Sequence, residues 1–170
     1  MQTFLPYPDF LESANVLDKK RCWKQVVEAH QIIDILTASQ SYMGGIVEPR
    51  SWRNHPAVKM WEGHIPELKI YFNCFLKTCV EVYGINTAYV PYNSFTDFCN
   101  VYHQRDFIHD SVILKMPWWH GNINFHRAMR ARLIEKDEAF YLPKFPNDKG
   151  FNNGKYFWPV MDGSETFKII

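Results

Sequence analysis

The chain has 170 residues, 46% apolar and 16% aromatic, which is enough for one domain with a substantial core and too little for two full domains. Charged residues make up 22% and sum to +1, so a globally basic nucleic-acid binder is excluded, while a local basic stripe is not. No run reaches the roughly 18 to 20 apolar residues that cross a bilayer, and no basic segment leads into an apolar one at the start, so a membrane partner is not expected.

Pro6 and Pro8 prevent a helix from beginning before Pro8, which leaves the first residues as an extended arm; Asp9 then offers an N-cap to Phe10. Between Leu17 and Leu36, Cys22, Val26, Ala29, Ile33 and Leu36 recur at spacings of three and four, the mark of one buried helical face. At about 100° per residue, Arg21, Lys24, Gln25 and Glu28 fall together on a flank beside that stripe, whereas Lys19 and His30 point elsewhere. Residues 37–54 read as a loop, Ala57 to Glu62 as a short helix, and Ile65 to Tyr83 as a longer one stopped by Gly84.

The stretch 95–116 is mixed: Phe95, Phe98, Val101 and Tyr102 sit at helical spacing, while Ser111 to Leu114 suits a short strand equally well. A turn at Pro117–Asn122 leads into a third helix from about Asn124 to Glu138, carrying Arg127, Arg130, Arg132 and Lys136. Beyond it the chain is aromatic and irregular, and it contains neither internal repeats nor low-complexity tracts.

Several patterns invite chemistry. Cys22, Cys74, Cys79 and Cys99 form no C-x-x-C pair and lie in apolar stretches, so they read as reduced core thiols. His120 and His126 flank two amides as metal ligands can, but no third ligand follows nearby, and no metal or cofactor is expected. Asp106 and Asp110 lack an obvious acid–base partner, and Trp52, Trp61, Trp118, Trp119 and Trp158 read as core before they read as base-stacking platforms. By spacing alone, Glu28 with Arg21 and Lys24 is a solvated ion-pair face.

Three blocks taken together carry more. The start Met1 to Phe10, then Leu17-Asp18 with Arg21, Lys24-Gln25 and Glu28, then Trp52-Arg53-Asn54-His55-Pro56-Ala57-Val58-Lys59-Met60-Trp61, resemble the pyrimidine-dimer DNA glycosylase family of the endonuclease V type. The segment Phe125 to Lys136 followed by Phe140-Tyr141 resembles it too, so the likeness leaves out only about 85–115, which reads as an insertion in a single domain spanning 1–170.

The resemblance implies a compact all-α domain of about three main helices, with the amino-terminal arm passing between the first and last. It implies a metal-independent N-glycosylase with abasic lyase activity that acts on damaged double-stranded DNA. The catalytic group would be Glu28 with the terminal amine, borne by Met1 or, if Met1 is removed, by Gln2. DNA contacts would come from Arg21, Lys24, Gln25, Arg53, His55, Arg127, Arg130 and Tyr141. The expected protein is a cytoplasmic, nucleoid-associated monomer, with a virus-encoded source left open. A glycosylase for another modified pyrimidine, or a non-catalytic DNA-binding domain of the same fold, remains as an alternative.

Overall fold

Asp9 begins the helical part of the chain as its sequence position predicts: its carboxylate accepts the Glu12 N–H at 2.7 Å and caps α1, Phe10–Val16. The computed structural model describes residues 2–40, 52–92, 108–109 and 112–170. After α1 come α2 (Lys19–Gln40), α3 (Pro56–Lys59), α4 (Ile65–Glu81), α5 (Ile123–Lys136) and α6 (Glu138–Tyr141). Strands among the described residues form two antiparallel hairpins. One pairs β1 (Ile108–His109) with β2 (Val112–Ile113), and the other pairs β3 (Phe157–Pro159) with β4 (Phe167–Ile169). The described part of the chain is therefore predominantly helical, with α2, α4 and α5 as its three long helices.

α2 buries all five residues of the predicted stripe, joined by Ile32 and Ile35. It starts at Lys19 because Asp18 accepts the Arg21 N–H at 3.0 Å. It outlasts the predicted loop start at 37, since no Gly or Pro interrupts it before Gln40. α3 starts at Pro56, under a cap in which His55 Nδ1 accepts the Ala57 N–H at 3.1 Å. α4 ends two residues before the predicted Tyr83. Gly84, at φ +60°, turns the chain so that the Ile85 N–H reaches the Cys79 carbonyl at 2.9 Å. The predicted third helix divides at Asp137, which closes α5 and caps α6 through the Phe140 N–H at 3.1 Å. The strand alternative for Ser111 to Leu114 is realised at Val112–Ile113.

α2 and α1 both pack on α4, and one hydrophobic cluster runs from Phe10, Leu17 and Val26 through Trp61, Tyr71 and Phe75 to Trp119, Phe125, Met129 and Tyr141. Each fully buried side chain of this size contributes about 1.5–3 kcal/mol. Trp61 and Trp119 are core, as their setting predicts, while Trp52 stands exposed. Cys22, Cys74 and Cys79 are buried, Cys22 and Cys79 as thiols in contact with each other; Cys99, Phe95, Phe98, Val101, Tyr102, Asp106, Asp110 and most of the expected insertion lie outside the described residues. No described helix is long and apolar enough to cross a membrane. The arm from Gln2 to Pro8 runs against α2 on one side and α5 on the other, with Thr3, Phe4, Leu5 and Pro6 buried.

Candidate active site

An extended segment cannot satisfy its own backbone groups, so a buried one must find partners elsewhere. The arm does so residue by residue. The Gln2 backbone N–H donates to Glu28 Oε2 at 3.1 Å, and the Phe4 N–H to Gln25 Oε1 at 2.8 Å. Tyr71 Oη lies 3.1 Å from the Phe4 carbonyl and 2.9 Å from Gln25 Oε1, donating its one proton between them. Thr3 Oγ1 accepts the indole N–H of Trp61 at 3.0 Å. The carbonyls of Leu5, Pro6 and Pro8 accept from His126 Nδ1 (2.8 Å), Arg130 (2.7 Å) and His120 Nε2 (2.7 Å).

Glu28 is only 7% exposed, on the face of α2 that the arm covers. Burying a carboxylate is costly unless it is paired or hydrogen-bonded, and Glu28 has both kinds of partner. One oxygen takes the Gln2 N–H, and the other lies 3.7 Å from the Lys24 ammonium, whose own side chain is 65% exposed. Burial pushes the Tyr71 hydroxyl well above its usual pKa, and the Glu28 charge adds to the push, so the phenol stays a donor. At His126, burial lowers the imidazole to about 4, outweighing the Leu5 carbonyl, which favours the charged form. The neutral ring has one possible tautomer, because Nδ1–H must donate to the Leu5 carbonyl while Nε2 accepts the Gly121 N–H at 3.1 Å.

The other expected site residues separate into groups. Gln25 shares the flank of Glu28 but is fully buried beneath the arm. Arg21 and Tyr141 meet at the start of α2. Arg21 donates to Asp18 Oδ2 at 2.7 Å and to the Lys136 carbonyl at 3.0 Å, with its guanidinium 5.4 Å from the centre of the Tyr141 ring. Tyr141 Oη is 2.5 Å from Asp18 Oδ2. Arg127 and Arg130 share the Asp148 carboxylate at 2.8 and 2.5 Å. Arg53 pairs with Glu62 at 2.5 Å. Met1 lies outside the described residues.

His55 stands in an aromatic row, 5.4 Å from Trp52 and 6.2 Å from Trp158 between ring centroids, and Trp158 leads on to Tyr156 at 5.6 Å. Arg132 lies over the Tyr156 ring at 4.4 Å. Burial lowers the His55 pKa, and the positive charge of the amino terminus acts in the same direction.

Tyr71 and Met129, which receives the Gln2 side-chain N–H at 3.5 Å, were not legible as arm partners, nor was Asp148 as the brace of Arg130, because each of these meetings is made only by tertiary packing. His120 and His126 stood out as a pair, but as possible ligands; their rings hold arm carbonyls instead, and among the described residues no group of three or more His, Cys, Asp or Glu could hold a metal ion.

Chemically, the centre of the arrangement is a largely buried carboxylate held at one backbone nitrogen near the arm's end. A family model described as pyrimidine dimer DNA glycosylase matches residues 1–87. No curated protein and no solved structure matches the chain.

Proposed function

Because the chain belongs to the pyrimidine dimer DNA glycosylase family, we propose that it removes ultraviolet-linked pyrimidines from duplex DNA and opens the strand at the abasic site left behind. The amino-terminal amine is the nucleophile and Glu28 its proton-transfer partner. The observation that supports this reading best is the 3.1 Å contact between the nitrogen of residue 2 and Glu28 Oε2. If Met1 is removed, that nitrogen is itself the amine; a retained Met1 places the amine one residue further along. Intact-mass measurement of the purified protein distinguishes the two.

An α-amine has an ordinary pKa of about 7.7–8.0, so a useful fraction is neutral near pH 7. The neutral amine attacks C1′ of the damaged nucleotide, and the glycosidic bond breaks with its electron pair leaving on the base. Glu28 takes the proton the amine loses and returns one to O4′ as the sugar ring opens to the protonated imine. Loss of a C2′ proton then expels the 3′ phosphate by cleavage of the C3′–O bond, and water hydrolyses the imine to release the enzyme. No step requires a metal or other cofactor.

Lys24, exposed beside Glu28, would meet a phosphate flanking the lesion. Arg53, His55 and the row of Trp52, Trp158 and Tyr156 offer faces on which an unstacked base can rest when the duplex opens, and a dimer's impaired pairing lowers the cost of that opening. Arg130 meets the arm's far end at the Pro6 carbonyl, and Arg127 shares its Asp148 partner at a more exposed position from which it would reach DNA.

Borohydride trapping on dimer-containing, abasic and undamaged duplexes tests the reading. Wild-type protein should give a covalent adduct at its amino-terminal residue on the first two. Glu28→Gln should bind the same DNA while cleaving it about 10²–10⁴-fold more slowly. Bound wild-type protein that yields no adduct would sink the lyase mechanism, and trapping on abasic but never on dimer DNA would move the reading to a different modified pyrimidine.

A further inference from the structure

The family model ends at residue 87, yet three of the carbonyls that fix the arm are gripped by side chains from beyond it. His126 holds the Leu5 carbonyl, Arg130 the Pro6 carbonyl and His120 the Pro8 carbonyl, all at 2.7–2.8 Å. Proline has no N–H, so at positions 6 and 8 the carbonyl is the only backbone handle available. Two of the grips are themselves braced. Asp148 holds Arg130 Nε at 2.5 Å, the guanidinium lies 5.6 Å from the centre of the Tyr7 ring, and the Gly121 N–H fixes the His126 tautomer. Behind these grips the chain is anchored by the Asp9 cap and by Ser13, whose hydroxyl both accepts the Tyr7 N–H (3.0 Å) and donates to the Tyr7 carbonyl (2.9 Å).

We propose that His126, Arg130 and His120 form a carbonyl clamp whose task in the reaction is to set the register of the arm and so deliver the terminal nitrogen to Glu28. They are positioning residues, acting through the arm, and the inference rests on the function proposed above. The geometry makes register decisive. An extended chain advances about 3.3 Å per residue, so a slip of one residue carries the nitrogen out of hydrogen-bond reach of Glu28. A misplacement of even about 1 Å can cost on the order of 10²-fold in rate.

The test is single-turnover borohydride trapping on abasic duplex, run well below each variant's Tm. His126→Leu, which leaves the Leu5 carbonyl unheld, should slow adduct formation about 10²-fold with Kd for the same DNA unchanged. His126→Asn, whose amide N–H replaces Nδ1–H, should recover most of the rate. Ile35→Ala, a core truncation on α2 two turns past Glu28, should lower Tm without slowing trapping. If His126→Leu does not fold, His120→Leu carries the same comparison at a less buried ring. Clamp variants that trap at the wild-type rate overturn the proposal, as does slowing in Ile35→Ala equal to that in His126→Leu, which would make the effect one of general stability. Absence of any wild-type adduct would instead remove the function on which the clamp rests.

Discussion

His126 carries a pH dependence whose sign follows from its surroundings. Buried and neutral, with a pKa of about 4 against an ordinary 6.5, it binds fewer protons in the folded chain than in the unfolded one between those values. Its contribution is therefore complete above about pH 6.5 and is lost as pH falls toward 4. Each step of one in pH across that window removes about 1.36 kcal/mol, so the loss reaches about 2–3 kcal/mol near pH 4.5. The facing His120, also lowered by burial, adds a loss of the same sign, and the Arg130 charge pushes His126 in that direction too. Asp18 holds its carboxyl below the usual range through Tyr141 and Arg21, against the effect of burial, and weakens only further into acid. Denaturant unfolding at pH 7 and pH 4.5 should show a smaller drop for His126→Asn than for wild type. Equal drops would place the titrating group elsewhere. Helix phase alone put Glu28 and Gln25 on one flank, but not that the arm would bury both.

At the scale of elements, the start of α2 is joined to the end of α5 and to α6 by one carboxylate. Asp18 caps α2, accepts from Arg21 and lies against the Tyr141 hydroxyl, while Arg21 also reaches the Lys136 carbonyl at the end of α5. Asp18→Ala removes the cap, worth about 1 kcal/mol, and takes the partner from Arg21 and Tyr141. The expected total is about 2–3 kcal/mol, or a Tm lower by about 4–12 °C for a chain of this length, read by thermal melting. A melting temperature within a degree of wild type would show the joint to be dispensable. Asp18, Arg21 and Tyr141 each stood in blocks quoted for the family resemblance. Their meeting did not, because Asp18 and Tyr141 are 123 positions apart and no local period links them.

Over the whole molecule, the half that the family model matches is not self-sufficient. Trp119, Phe125, Met129, Leu133, Tyr141 and Phe145 complete a core that begins with Leu5, Phe10 and Trp61, and the three clamp side chains also come from the second half. Residues 1–87 expressed alone should therefore lack a cooperative thermal transition and the near-ultraviolet dichroism of ordered aromatics. A cooperative melt of that fragment would show that α1 to α4 close a core without α5.

Within one chain, short-range physics was enough for the elements. Two prolines made an arm, three-and-four spacing made α2, Asp9 and Gly84 marked ends, and ordered blocks of residues named the family. Only the tertiary structure decided which atoms meet. The arm's nitrogens and carbonyls find partners on α2, α4, α5 and the turn before α5, up to 124 positions away, and a histidine pair with the spacing of metal ligands became instead two donors to backbone oxygen. The physical reason is that a buried extended segment must be satisfied by whatever packs against it, and a sequence period specifies a face without specifying its cover.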